Sequence, residues 1–120
     1  MVKKVFNSFI FASRGLKTTW REEHNFRIEV FTLLPVIFFI FYFDFSFIES
    51  AFCVIAMTIV LITEVINTAI EDICNKIEPH HDEVIGKIKD TAGAFVFISV
   101  LGAILIGCLV FFSHFNWHFF

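Results

Sequence analysis

The sequence predicts an all-α integral membrane protein, an N-terminal amphipathic surface helix followed by three transmembrane helices in one helical bundle. Three observations carry that prediction. The chain has 120 residues, of which 58% are hydrophobic and 19 are Phe, more apolar surface than a soluble domain of this length can bury. The segment Ala92 to Phe112 runs 21 residues without a formal charge, about 31 Å as a helix and enough to cross a bilayer's hydrocarbon core. All nine Lys and Arg residues fall either before or just inside the first apolar segment or between the second and third.

Each element follows in order. Residues 1–26 interleave Val5, Phe6, Phe9, Ile10, Leu16 and Trp20 with Lys3, Lys4, Arg14, Lys17 and Arg21, the pattern of a helix lying in the membrane surface. A simple basic anchor is the plainer alternative. The segment has no apolar h-region or small-residue cleavage site, so it does not read as a secretory signal. Residues 27–47 form the first predicted span around the 14 uncharged residues Val30 to Phe43, opened by Arg27 and Glu29. Pro35 removes a backbone donor inside it and is a potential kink. Residues 48–73 form the second, around the 13 residues Ala51 to Thr63 and closed by Glu64 to Glu71. Runs this short also suit buried core helices; each becomes a span once its polar end is included. The short connection Asp44 to Ser50 makes these two an antiparallel hairpin. Residues 74–90 read as a loop carrying Lys76, Lys87 and Lys89, and residues 91–112 as the third span. His114, Trp117 and His118 suit an interfacial end to that span. The basic residues place the N-terminus and the 74–90 loop in the cytoplasm and the C-terminus outside. The net charge of −3 hides this local asymmetry. One domain is expected.

The chemistry-bearing stretch is Glu64-Val-Ile-Asn-Thr-Ala-Ile-Glu71. Seven residues make about two helical turns, about 10 Å, so Glu64 and Glu71 share a face with Asn67 between them. Ionisable groups near bilayer depth are costly and mostly line a site or pathway. Two further polar groups meet the same membrane face: Trp20 to Glu29, containing Glu23, Asn25 and Arg27, and Lys87-Ile-Lys89-Asp90. Together they offer carboxylates to a hard cation such as magnesium, which pairs one or two carboxylates with substrate phosphates. They also offer lysines to a phosphoryl group and a poorly solvated carboxylate able to act as a base on a lipid hydroxyl. No P-loop or kinase Gly-rich loop occurs. These features permit a phosphotransferase without singling one out. A small ion channel would also place acids on a membrane helix, and a non-catalytic helper subunit would need no ordered acidic set. Plainer readings of the same residues are a packing ion pair for Glu64 or Glu71, interhelical glue for Asn67 and a solvated helix start for Lys87, Lys89 and Asp90. Glu22 reads as a solvated neighbour of Glu23. Cys53, Cys74 and Cys108 match no zinc or redox spacing and read as reduced packing residues. His80, His81 and Asp82 could suggest a metal clip, but adjacent residues do not share a helix face and a solvated loop is the simpler reading. Nothing points to a nucleic-acid partner.

The residues also carry a resemblance. The Glu64 to Glu71 stretch is similar to the E-[IVL]-[IL]-N-[ST]-A-I-E signature of the bacterial diacylglycerol kinase and undecaprenol kinase family, small membrane enzymes unrelated to soluble kinases. Gly86-Lys-Ile-Lys89-Asp90-Thr-Ala-Gly93-Ala resembles that family's A/G-K-x-K-D-x-x-[GS]-A segment. Trp20, Glu23, Phe26, Arg27 and Glu29 match its spacing before the first span. A weaker match is Ser8-Phe-Ile-Phe11-Ala-Ser-Arg-Gly15-Leu. The matches extend from about Lys4 to Gly107.

The resemblance implies an ATP- and magnesium-dependent lipid kinase in the bacterial inner membrane, converting diacylglycerol to phosphatidic acid, with undecaprenol as the alternative substrate. It implies Glu64 as the base, and Glu23 and Glu71 as magnesium ligands that also face the nucleotide. Lys4, Phe11, His80, His81, Asp82, Lys89 and Asp90 would complete the nucleotide contacts. Trp20, Asn25, Arg27, Glu29, Asn67 and Gly93, with Glu64, would shape the lipid side. It further implies a homotrimer with active sites between protomers. The chain departs from the family's pattern at Lys4, where Arg is frequent, at Phe11, where Tyr is common, at Asn75, where Asp is usual, and across His80-His81-Asp82. Asn25 ahead of Arg27 and Ile28 is similar to undecaprenol kinases, while Trp20 and Glu29 are closer to the diacylglycerol branch.

Overall fold

The structure is a computed structural model that describes residues 1–116; Trp117 and His118 of the expected aromatic end lie outside them. Four helices follow in order: α1 Val2–Glu22, α2 His24–Tyr42, α3 Phe47–Ile77 and α4 Glu83–Asn116. No strand occurs among the described residues. The all-helical membrane class is as the sequence predicts, since α2, α3 and α4 are each long and apolar enough to cross a membrane.

Helix α1 is strongly amphipathic and almost wholly exposed, with Thr19 its one buried residue. It ends at Glu23, whose extended backbone (φ −109°, ψ 108°) turns the chain into α2. The corner is packed by Trp20 against Phe31, ring centroids 5.7 Å apart. Helix α2 continues through Pro35 and ends in a tight turn where Asp44 takes φ 53°, a left-handed conformation that Asp tolerates better than most residues. Ser46 then starts α3 with a capping box. Its hydroxyl accepts the Glu49 N–H (3.2 Å), and the Glu49 carboxylate accepts the Ser46 N–H (2.9 Å), satisfying two otherwise orphaned donors.

Much of the stretch read as the 74–90 loop is helical. Helix α3 runs to Ile77 and α4 starts at Glu83, leaving 78–82 as the link. Pro79 follows the last turn of α3, and the Asp82 carboxylate accepts the Ile85 N–H at 3.0 Å as an N-cap for α4. Loss of apolar character marks the edge of the hydrocarbon, not the end of the helix. With 31 and 34 residues, α3 and α4 are about 46 and 51 Å long.

Helices α3 and α4 pack antiparallel in the most extensive interface of the molecule. Three polar contacts cross the seam: Glu49 Oε2 to His114 Nδ1 (2.9 Å), Thr63 Oγ1 to Ser99 Oγ (2.8 Å), and Lys89 Nζ to Asn75 Oδ1 (2.6 Å). In each pair the two residues lie about equally far from the link, so the contacts fix one register. Among membrane helices, hydrogen bonds and small residues do what apolar burial does in water, and Ala56 and Ala92 are buried. The buried apolar set is small, comprising Phe26, Ala56, Val60, Cys74, Ala92 and Val110, while most large apolar side chains face outward. That inversion suits a lipid surround. Cys53, Cys74 and Cys108 are all free thiols.

Candidate active site

Glu64 is the largest fully buried side chain in the described structure, 1% exposed. The 3.6-residue repeat of α3 puts Val60, Glu64, Asn67 and Glu71 on one face, and all four line a cleft of ≈ 790 Å³ between α2, α3 and α4. The end near Glu23 is polar, with Asn25, Glu29, Glu64, Asn67 and Glu71 around it. The α4 wall is apolar, with Val96 and Phe97 level with Glu64 and Asn67 and Val100, Ala103 and Ile104 beyond them, joined by Met57 from α3. Gly93 lines the cleft at the level of the acids, and a Cβ added there would meet open space.

The polar groups are only partly satisfied. Asn67, 7% exposed, donates from Nδ2 to Glu71 Oε1 at 3.3 Å, leaving its Oδ1 without a partner. Glu29 Oε2 is likewise buried and unpartnered. The Thr68 hydroxyl donates to the Glu64 carbonyl at 3.0 Å, which returns a small polar side chain to its own helix. Glu23, between α1 and α2, is pushed up to about 7 by burial first. The charges of Glu71 and Glu64, a hydrogen bond with Glu71 and the charge of Asp72 add to the rise. The ion pairs of the described residues are Arg21–Glu22 and Glu49–His114, so neither Glu64 nor Glu71 is held by a lysine or arginine for packing. The acids instead crowd one another around a space.

Of the residues singled out from sequence, the cleft gathers Glu23, Asn25, Glu29, Glu64, Asn67, Glu71 and Gly93. Others lie outside it in this chain. Lys4 and Phe11 sit on exposed α1, with the Arg14 guanidinium 5.6 Å from the Phe11 ring centroid. Trp20 packs at the α1–α2 corner, and Arg27 is half-buried on α2. His80 and His81 are exposed in the link, the His80 N–H donating to Glu78 Oε1 at 3.0 Å. Asp82 caps α4, Lys89 bridges to Asn75 and Asp90 is exposed. Among the described residues, no group of three or more His, Cys, Asp or Glu is placed to hold a metal ion by itself. Sequence reasoning missed the apolar wall of α4 and Thr32, whose hydroxyl donates to the Ile28 carbonyl at 2.8 Å beside the cleft. The wall's i, i+3, i+4 spacing was available in the sequence, but it is lost inside a run that is apolar on every face.

The geometry is that of a buried carboxylate facing an apolar passage, with further carboxylates at the mouth. The family model described as prokaryotic diacylglycerol kinase matches residues 10–111. The chain belongs to the prokaryotic diacylglycerol kinase family. Its relatives include the diacylglycerol kinase of Escherichia coli K12, 29% identical over 103 residues, covering 86% of this chain and 84% of that protein. The diacylglycerol kinase of Haemophilus influenzae is 29% identical over 109 residues, covering 89% and 92%. The undecaprenol kinase of Bacillus subtilis is 29% identical over 110 residues, covering 92% and 89%. Membership makes the chain a membrane lipid kinase, and identity of this kind is shared equally between two substrate names.

Proposed function

We propose that this chain transfers the γ-phosphoryl group of ATP to the hydroxyl of a membrane lipid alcohol, with diacylglycerol as the substrate and phosphatidic acid as the product. The observation that carries the reading is the buried Glu64 carboxylate at the junction of an apolar passage and a crowded acidic mouth. The passage suits a lipid tail, and the mouth suits a cation-bound polyphosphate. Undecaprenol is the alternative, supported by Asn25 before Arg27 and Ile28 and by the Bacillus relative's name. Trp20 and Glu29 favour diacylglycerol.

In this mechanism Glu64 takes the proton of the lipid hydroxyl as its oxygen attacks the γ-phosphorus. The new phosphorus–oxygen bond forms while the bond to the β–γ bridging oxygen breaks, and ADP departs with that oxygen. Asn67 steadies Glu71, and its free Oδ1 is an acceptor for the lipid headgroup. Asn25, Glu29, Arg27, Trp20 and Gly93 shape the lipid side. Glu23 and Glu71 fit a magnesium ion: they are hard oxygen donors whose mutual repulsion no cation among the described residues relieves. Two carboxylates with phosphates are ordinary coordination for that ion. A magnesium ion held there would offset the charge that develops on the phosphates. Lys89 meets a phosphate, and Asp90, Lys4, Phe11, His80, His81 and Asp82 complete the nucleotide contacts. Several of these lie away from the cleft of their own chain, which a homotrimer with sites between protomers would accommodate. The protein sits in the bacterial inner membrane with its N-terminus cytoplasmic and its C-terminus outside.

The test is phosphate transfer from labelled ATP with magnesium, in mixed micelles offering diacylglycerol or undecaprenol separately. Label in diacylglycerol, abolished by Glu64→Ala, is the expected result. Label in undecaprenol alone reverses the substrate assignment. Label in neither, from well-folded protein, sinks the kinase mechanism and revives the channel or helper readings.

A further inference from the structure

We infer that Asn75 is a positioning residue that holds the Lys89 ammonium at the mouth of the cleft without neutralising it. The inference rests on the proposed phosphate role of Lys89 and assigns the residue that makes that role possible.

Asn75 lies one turn beyond Glu71 on α3, and Lys89 lies one turn before Gly93 on α4, at four-residue spacings that keep each pair on one helix face. Glu71 and Gly93 both line the cleft. The Lys89 Nζ to Asn75 Oδ1 bond of 2.6 Å therefore spans α3 and α4 one turn beyond the cleft-lining Glu71 and Gly93, on the side from which the proposed polyphosphate would approach. An ammonium has three donors and no acceptor; the amide oxygen takes one and leaves two for phosphate oxygens. Lys89 takes no part in the ion pairs of the described residues, Arg21–Glu22 and Glu49–His114, although Asp72, Glu71 and Asp90 are near in sequence to the two partners.

The chemical choice is informative. A lysine at a surface is a flexible point charge with considerable rotamer freedom, and something must direct it. The Asp usual at this position in the family's pattern would hold it too, but with part of the lysine's charge cancelled and one more anion beside the acids of the cleft, so this chain's Asn is a departure that leaves the charge freer. An amide holds the nitrogen and leaves the charge. The same bond closes the end of the α3–α4 seam nearest the link, so a packing role is the competing explanation, and the test must separate the two.

The experiment measures equilibrium binding of a non-hydrolysable magnesium–ATP analogue and, in parallel, steady-state transfer, in micelles with wild type, Asn75→Asp and Asn75→Ala. Loss of the anchor in Asn75→Ala is expected to weaken analogue binding about fivefold, the equivalent of one hydrogen bond. The carboxylate of Asn75→Asp is expected to weaken it about tenfold and to flatten its dependence on salt, because part of the Lys89 charge is no longer available. KM for ATP should rise in step while kcat and KM for the lipid stay within about twofold, and the thermal midpoint of Asn75→Asp should match wild type. Unchanged analogue affinity in both variants overturns the inference. So does a fall in kcat and in thermal midpoint with no selective change in nucleotide affinity, which would make the bond a packing contact. Analogue binding that follows the expected order while wild type phosphorylates no lipid keeps the anchor and rejects the kinase reading. No analogue binding to wild type rejects both.

Discussion

The Asn67 amide nitrogen stands 3.3 Å from a Glu71 carboxylate oxygen one turn away on α3, linking the buried and the accessible ends of the acidic stripe. Glu64, one turn further in, is 1% exposed and lines the cleft with Asn67, Thr32 and the other acids as well as apolar side chains. The stripe thus grades from a carboxylate shielded from water to one at the mouth, and the two ends are assigned different tasks.

Glu64→Gln should separate those tasks. The amide keeps the shape of the side chain but cannot take a proton, so kcat is expected to fall by roughly 10²–10⁴-fold. KM for ATP should change little, because in the proposed mechanism the residue meets the lipid hydroxyl and not the nucleotide. Steady-state kinetics beside a circular dichroism spectrum check it. Retention of more than a tenth of wild-type kcat would remove Glu64 from the role of base.

Asn67→Ala should loosen Glu71 without changing the number of acids. The magnesium concentration giving half-maximal rate is expected to rise about fivefold, the scale of one net hydrogen bond. A magnesium titration at saturating lipid reads this directly. An unchanged half-saturation point would mean that Glu71 needs no help in holding its position.

Glu23 predicts a pH dependence whose sign can be worked out. Its carboxyl is raised from 4.5 to about 7 in the folded chain, by burial first and then by Glu71 and Glu64. The folded state therefore holds this proton more tightly than the unfolded state does. The stabilisation is fully present below the unfolded value of 4.5 and is lost as pH rises through about 7. Metal-free protein in micelles should accordingly show a lower thermal midpoint at pH 8 than at pH 5.5, with the difference shrinking in Glu23→Gln. Magnesium added near pH 7 should release protons, measurable in a weakly buffered calorimetric titration. An equal pH slope in wild type and Glu23→Gln would show that Glu23 does not carry the pH dependence.

At the opposite end of the molecule, Glu49 serves two contacts at once, capping α3 through Ser46 and meeting His114 at 2.9 Å. Glu49→Ala removes both, at a cost of about 1–2 kcal/mol by the usual scale of caps and interhelical bonds. Ser99→Ala removes the Thr63 contact across the seam, together with the hydroxyl's bond to the Val96 carbonyl of its own helix, and should cost about 0.6 kcal/mol. Denaturation in mixed micelles ranks the two. A reversed order would place the seam's main polar anchor at its middle.

Much of this architecture is legible in the residues because a membrane punishes polar groups. Glu64, Asn67 and Glu71 stand out against their apolar neighbours, and the seven residues from Asp44 to Ser50 leave room only for a tight turn. The ends of the helices are less legible. Cys74 to Ile77 and Glu83 to Asp90 are polar enough to read as loop, yet they are helical because Asp82 caps one end and the α3–α4 packing extends past the hydrocarbon. The Glu49–His114 and Asn75–Lys89 bonds join residues 65 and 14 positions apart, and no local pattern marks such pairs. The apolar wall of the cleft is hidden for the opposite reason: Val96, Val100 and Ile104 share a run in which every face of α4 looks alike.

The length of α3 has a consequence for the surrounding lipid. From its start at Phe47, Glu64 lies about 26 Å along the axis and Glu71 about 36 Å, against a hydrocarbon slab about 30 Å deep. If the α2–α3 turn marks one interface, Glu64 lies just inside the far boundary and Glu71 just beyond it. The acids are thus set by counting turns from the turn-side interface, and that count is matched to one bilayer thickness. Hydrophobic mismatch then becomes a kinetic variable. In lipids of graded acyl length, transfer should pass through an optimum, falling where a thick bilayer draws Glu71 into hydrocarbon and where a thin one floods Glu64, the proposed base, with water.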